Sequence, residues 1–524
     1  MNDKFKKIFN RTTFYYWLLA LFFLAGLFLR TYHYHDWLRF NADQGRDAIL
    51  VGDVVAGKTA WPLLGPKAGG TEFKLGPAFY YFEIISAKIF GNYPDKMAYP
   101  DLLTSLFCIP LLFLFLRKYF EIKLSVALTA LFSLSFYAIQ YSRFAWNPNS
   151  IPFWVILALY GIINIIENKN NKKIIWSIIT GLAVGIGMQL HTTLFVFLPL
   201  TTIIVFFTLA MKNKKILKYF FIILTISLFL NIPQFIDEYQ THGKNMKAFF
   251  GGVKTKQKKE SSILADLIRD TSCWTQGNIE IISGYEISDS CSIKTSGYAQ
   301  DLVILTIGLI FVFGGMLIGF NYFLKEIDFN KKTFLGVIFL YLSIAYVIFV
   351  PLAFELSMRF FLVVIFSPFV LAGFWVKFLA EKFSRKRVSI ITIIVFMSLA
   401  GLNLYFTQKT FVTNSAYEKG KTRGKVDIVN LGELEAISNF IVANSNKNSP
   451  VYLGGNQQIL FKATKSIEFL VAKSQIEIIP IRKNDDGRRP LFTLTLARKK
   501  SNLSGSNTNE KEAKLGRFLI TLKK

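Results

Sequence analysis

The chain has 524 residues, 52% of them hydrophobic and 18% charged, with 53 Phe, 22 Tyr and a formal net charge of +27. Three Cys and four His, without zinc-ligand spacing or a glycine-rich phosphate loop, exclude a disulfide-dense secreted scaffold and weigh against a metalloprotease or a nucleotide-driven ATPase. The apolar excess falls in blocks flanked by Lys and Arg, so the positive charge reads as membrane topology and not as a nucleic-acid footprint.

A helix needs about 20 apolar residues to cross roughly 30 Å of hydrocarbon. Such blocks lie near 14–30, 101–117, 124–141, 151–166, 174–190, 193–210, 216–233, 301–321, 333–353, 360–380 and 388–406, which predicts about 11 spans. The first block is long enough to span and has no small-residue cleavage site, so it reads as an anchor and not as a signal peptide. Basic residues fall on alternate turns: Lys4, Lys6, Lys7 and Arg11, then Arg117, Lys118 and Lys123, then Lys169, Lys172 and Lys173. The series goes on with Lys212, Lys214 and Lys215, with Lys325, Lys331 and Lys332, and with Lys382, Arg385, Lys386 and Arg387. That side is predicted to be the cytoplasm. An odd number of spans then sends the C-terminal tail outside, together with loops 31–100 and 234–300.

Within the first loop, residues 77–90 are apolar but too short to span and read as an interfacial helix. Cys273 and Cys291 share the second loop, where a disulfide is expected but two free thiols remain the alternative, while Cys108 lies alone in a span. The tail has a helical stretch at 431–444, then strand-like PVYLGG, SIEFLVA, QIEIIPI and LFTLTLA, and a polar, loose segment at 499–514. The predicted fold is thus an all-α polytopic membrane protein with juxtamembrane helices. A transmembrane domain covers 1–410, and a small extracytoplasmic α/β domain covers 411–524.

Ionisable residues inside spans cost roughly 2.5–3.5 kcal/mol and mark ion paths. Here the span interiors are nearly free of them, and the polar residues gather at the outer rim. In RFNADQGRDAIL, a helix puts Asp43 and Asp47 one turn apart with Arg46 beside them. Such a trio suits an acid/base pair, a metal site or a plain salt bridge. Further rim residues are Lys74, Arg143 and Asn147 (in YSRFAWNPNS), Gln189 and His191 (in GMQLHTT), Asp237 and Glu238, and Glu355 and Arg359 (in FELSMRFF). Each alone is an interfacial anchor. Together, cations at headgroup level suit a lipid phosphate. The competing reading is a polyprenyl-linked glycan flippase or other multi-span transporter, which asks for charge deep in the spans and pseudo-symmetric halves.

FNADQGRDA, GPAFYY, SRFAWNPN, GMQLHTT and the Glu355–Arg359 turn, in this order, resemble the GT-C superfamily of membrane glycosyltransferases. The look-alikes are the protein O-mannosyltransferase and lipid A aminoarabinose-transferase group, including rhizobial galacturonosyltransferase-like proteins. The resemblance spans about residues 10–410. It implies an inverting enzyme that moves a sugar from a polyprenyl-phosphate donor to an extracytoplasmic lipid, glycan or protein. It makes Asp43 the catalytic carboxylate, with Asp47 sharing the work because Gln44 replaces the acidic neighbour common in the family. It assigns Arg143 and Arg359 to the donor phosphate, with Lys74 and His191 as further candidates and Arg46, Asn147, Gln189 and Glu355 lining the site. Asn147 stands where many members have Asp. A divalent cation, Mg²⁺ or Mn²⁺, bridging Asp43 to the phosphate stays open, since Mg²⁺ binds through one or two carboxylates plus phosphate. The implied partners are membrane lipids and the prenyl donor, with no nucleic acid.

Overall fold

The computed structural model describes residues 11–167, 172–257, 262–288, 291, 299–421, 426, 428–446, 449–481, 491–497 and 510–523. Lys4, Lys6, Lys7 and Lys169 lie outside them. The first helix, α1 (Arg11–Thr31), shows how apolar sequence divides between lipid and protein. Phe14, Trp17, Leu21, Leu24 and Phe28 form an exposed stripe at helical spacing. On the other face a Cβ on Gly26 would come within 2.7 Å of Ser133 Oγ. Arg30 is fully buried there and donates to Ser105 Oγ at 3.0 Å and to the Ser133 carbonyl at 2.8 Å. The buried charge is thereby hydrogen-bonded, as burial requires.

After α2 (Ala42–Val55) and α3 (Ala78–Phe90) come the apolar helices α4 (Tyr99–Leu116), α5 (Ile122–Ser133), α6 (Ile151–Glu167), α7 (Lys173–Leu190), α8 (Leu194–Ala210) and α9 (Leu217–Leu230). Three helices then cross or cover the rim: α10 (Ile232–Gln240), α11 (Lys244–Gln257) and α12 (Ile263–Ser283). A second apolar set follows: α13 (Ala299–Leu309) and α14 (Gly315–Lys325), joined by a π-helical turn, then α15 (Phe329–Phe349), α16 (Ser367–Lys382) and α17 (Arg385–Glu418). Among the described residues six helices are long and apolar enough to cross a membrane, or up to eight if each of two sharply bent pairs is one span. Helices α5, α6 and α8 are apolar but shorter. The chain is therefore a multi-pass membrane protein by length and composition of its helices.

The interfacial helix expected at 77–90 is α3. The tail forms α18 (Leu431–Ala443), β1 (Val451–Gly455), α19 (Gln457–Val471), β2 (Ile478–Pro480), β3 (Leu491–Leu496), β4 (Glu510–Leu515) and β5 (Phe518–Lys523). The sheet runs β2-β1-β3-β5-β4, parallel around β1 and antiparallel around β5. Two readings are corrected here. SIEFLVA is not a strand but the end of α19, whose buried Ile459, Leu460, Ala463, Ser466 and Ile467 recur at helical spacing behind the Asn456 cap. Of the segment expected to be loose, 510–515 is the strand β4, paired along its length with β5, and the rest up to 509 lies outside the described residues.

Candidate active site

Helix α2 starts on a capping box, with the Asn41 amide donating to Gln44 Oε1 at 3.1 Å. This fixes the first turn and sends its acidic residues to different places. Asp43 is exposed, its side chain 62% accessible, and it accepts from Arg46 Nη1 at 2.9 Å. Asp47 is only 3% exposed and takes the rest of the guanidinium, from Nε at 2.9 Å and Nη2 at 3.1 Å. The Tyr80 hydroxyl donates to Asp47 Oδ1 at 2.9 Å. Burial pushes the Asp47 carboxyl up to about 6, against the pull of Arg46 and Tyr80. Glu83, buried one turn further along α3, is raised well above the ordinary range, by burial first and then by Asp47 and Asp101. The family resemblance implies a shared task for Asp43 and Asp47, but the fold splits them: Asp47 anchors Arg46, and Arg46 holds Asp43.

The remaining rim residues sort by what they already bond. Arg143 is 9% exposed, and its terminal nitrogens donate to the carbonyls of Leu29, Arg30, Tyr32 and His33 at 3.1, 2.9, 2.7 and 3.4 Å. Leu29 and Arg30 belong to the last turn of α1, and Tyr32 and His33 to the turn that follows it. A phosphate would have to displace them, so the expected donor-phosphate role is corrected to a helix cap. Gln189 is buried and accepts from the Ala78 amide at 3.1 Å while donating to Gly185 and Leu230 carbonyls. A Cβ at Gly76 would lie 2.3 Å from Gln189 Cγ, so GPAFYY and GMQLHTT match each other in shape. Asn147 donates to the Leu190 carbonyl at 2.7 Å and ties the SRFAWNPN turn to the end of α7.

A second group stays open. Residues 65–75 form a hairpin through the Lys67–Lys74 bridge, turning at Gly70 with φ +75°. Lys74 has an exposed side chain, and its backbone is gripped from both sides by the Asn245 amide, at 2.8 and 3.0 Å. Arg359 lies against this hairpin, with a terminal nitrogen 3.4 Å from where a Gly69 Cβ would be. It also stacks over Trp146 at 5.6 Å, and among the described residues its buried Nε has no hydrogen-bond partner. His191 packs edge-on to Phe360 at 5.0 Å, and Glu355 is exposed in the preceding turn. Beside the hairpin an apolar cavity of about 910 Å³, counting its open mouth, runs between α7, α8 and α9. Val184, Met188, Phe220 and Ile223 line it, and Phe73 and Asn245 close the end beside Lys74.

Sequence reasoning missed Arg39 and Asp101. Arg39 sits 4.9 Å over the Phe144 ring, and Tyr141, Phe144 and Trp146 stack between it and Arg359. Asp101, buried at the head of α4, accepts from the Trp146 amide at 2.9 Å and holds that turn. An Asp placed just behind Pro100 in an apolar block was the available signal. Cys273 and Cys291 meet, as the expected pairing requires, but as two buried thiols sharing a hydrogen bond and not as a disulfide.

For the divalent cation, the donor set is thin. Among the described residues no three His, Cys, Asp or Glu side chains converge. Asp47 is committed to Arg46 and Tyr80, which leaves Asp43 as the one exposed carboxylate in the trio. These residues do not build a protein cage for a metal, and no step is routed through one.

Residues 74–236 match the family model of dolichyl-phosphate-mannose-protein mannosyltransferase. No curated protein matches the chain by sequence. The fold is similar to that of the Archaeoglobus fulgidus oligosaccharyltransferase in its apo form, with a TM-score of 0.53, 13% identity, and coverage of 92% of this chain and 65% of that one. The chain therefore spans about two thirds of that enzyme's length. The oligosaccharyltransferase AglB from Archaeoglobus fulgidus, in complex with an inhibitory peptide and a dolichol-phosphate, gives a TM-score of 0.53 at 11% identity, covering 93% and 70% of the two chains. ArnT from Cupriavidus metallidurans bound to undecaprenyl phosphate gives 0.51 at 13% identity, covering 97% of each chain. Family model and fold fall on the same class, the GT-C superfamily of membrane glycosyltransferases that the sequence resembles.

Proposed function

We propose that the protein is a membrane glycosyltransferase that moves a sugar from a polyprenyl-phosphate donor to an extracytoplasmic lipid, glycan or protein acceptor, with Asp43 as its catalytic carboxylate. The observation that carries this reading is an exposed, Arg46-held carboxylate in a fold that also holds an apolar cavity ending beside Lys74. The cavity suits an isoprenoid tail, and Lys74 and Arg359 suit the phosphate at its head. Structural neighbours bound to dolichol-phosphate and undecaprenyl phosphate support the same choice of donor.

In this reading Asp43 accepts the proton of the acceptor nucleophile as it attacks the anomeric carbon. The bond from that carbon to the phosphate oxygen breaks, and the prenyl phosphate leaves with the electron pair. One displacement inverts the centre. A phosphate leaving group needs no second carboxylate to protonate it, which is consistent with a buried Asp47. The base contributes about 10²–10⁴-fold. Lys74 and Arg359 offset the charge on the departing phosphate, and His191, Asn147, Gln189 and Glu355 shape its surroundings. The topology that goes with this chemistry is eleven spans with a cytoplasmic N-terminus, a transmembrane unit over 1–410 and an extracytoplasmic unit over 411–524. The test incubates purified protein with prenyl-phosphate sugars and measures free prenyl phosphate, with Asp43→Asn as control. Equal release by both proteins removes Asp43 from the reaction.

A further inference from the structure

The segment that carries Asp43 is held less by the membrane helices than by the C-terminal unit. The amide of Phe40 donates to the Val429 carbonyl at 2.9 Å, and the amides of Leu431 and Gly432 donate to the carbonyls of Leu38 and Asp36 at 2.8 and 3.1 Å. Val429 also donates to Asn41 Oδ1 at 2.9 Å, the side chain that caps α2. Buried Ser466, on α19, sends its hydroxyl to the carbonyls of Phe40 and Asn41 at 2.8 and 3.0 Å. Helix α2 approaches α19 so closely that a Cβ on Gly45 would stand 2.5 Å from the Ser466 amide nitrogen. Backbone cannot yield there as a flexible side chain can. Further out, His35 bridges Asp95 and Glu435 at 3.2 Å each, and Tyr93 donates to Glu435 at 2.9 Å.

We infer that Ser466 and Gly45 are positioning residues for catalysis, and that the C-terminal unit sets where the Asp43 carboxylate stands. The inference rests on the proposed transferase reading. Arg46 reaches Asp43 and Asp47 from one turn of α2, so the register of that turn decides whether all three bonds are made together. Tilting α2 by an ångström carries the Arg46–Asp43 pair with it and strains the bond from Tyr80 to Asp47, and misplacement on that scale costs about a hundredfold in rate.

The experiment uses the full chain in liposomes, with undecaprenyl-phosphate hexose and pentose donors, water as the acceptor nucleophile that takes the sugar, and free undecaprenyl phosphate as readout. Gly45→Ala is expected to lower kcat about a hundredfold and Ser466→Ala about tenfold, with donor KM within twofold of wild type in both. A kcat within twofold of wild type in both variants overturns the inference, and so does a donor KM that rises with the loss. Amide exchange read on Ser466→Ala adds a check independent of turnover. Faster exchange over residues 42–47 with an unchanged β1–β3 sheet supports positioning, and unchanged exchange at 42–47 refutes it. Wild type that releases no prenyl phosphate from any of these donors counts against the transferase reading, and the exchange result then decides the positioning role by itself.

Discussion

Two parts of the rim use polar residues in opposite ways. Along the first turn of α2 the charged groups are engaged: Arg46 is shared by two carboxylates, Asp47 is sealed under Tyr80, and Asn41 bonds both its own helix and Val429. Around the hairpin the Lys74 side chain is exposed, and among the described residues the buried Nε of Arg359 has no hydrogen-bond partner. The first arrangement suits a group that must not move, because proton transfer depends on geometry held in advance. The second suits a ligand that arrives and leaves, whose tail gains from apolar burial at about 25 cal/mol per Å². Rigidity beside openness is what the difference teaches.

The contrast is sharpest at Asp43. Asp43→Asn is expected to cut turnover by a hundredfold or more while the protein still inserts and melts as wild type, and near-normal turnover breaks the assignment. Next, Arg359→Ala is expected to raise the donor concentration needed for half-maximal rate ten- to a hundredfold, the worth of a charged hydrogen bond of about 1.5–3 kcal/mol. A donor titration that superimposes on wild type would return Arg359 to an interfacial anchor. Filling the cavity with Ile223→Trp should raise the donor requirement about tenfold and leave kcat at saturation alone, since bulk there excludes tail and not chemistry.

A smaller effect is expected from pH. The Asp47 carboxyl titrates near 6, raised by burial above its ordinary value of 3.8. The folded state therefore holds this proton more tightly than the unfolded chain does. Its stabilising contribution is present below about pH 4 and lost as pH climbs through 6. Activity runs the other way, because protonation loosens the grip on Arg46. Wild type should lose activity as pH falls through about 6, whereas Asp47→Asn should give a low profile without that limb. An unchanged limb in the variant would show that another group titrates there. Smallest of all is the expected effect of Arg143→Met on donor use. Stability should fall because the carbonyls of Leu29, Arg30 and Tyr32 lose the Arg143 donor, while the folded remainder keeps a donor requirement within twofold.

Much of the frame could be read from sequence because its causes are local. Apolar runs forced α1, α7 and α13 to α15 into helices, and a short run of wrong length for a span became α3. The first outer loop stood out because three charges within five residues need a reason. What was illegible depended on contacts distant in sequence. Nothing in SIEFLVA by itself says that Ser466 faces Phe40, so alternation over seven residues outweighed the helical period of the longer window. Arg143 looked like a phosphate ligand because its carbonyl partners belong to a helix more than a hundred residues earlier. Asp47 looked like a partner of Asp43 because one-turn spacing does not reveal which side of the turn Tyr80 covers.

Helix α17 has 34 residues, so at about 1.5 Å per residue it measures some 51 Å. Hydrocarbon takes up only about 30 Å of that. The surplus makes a rigid pillar, and the Trp37 indole donates to Glu418 at its tip, so the pillar bears directly on the strip of chain leading into α2. Its length acts as a ruler between the bilayer and Asp43. A thinner or thicker membrane would change the tilt of that ruler, and with it the height at which the enzyme meets its lipid.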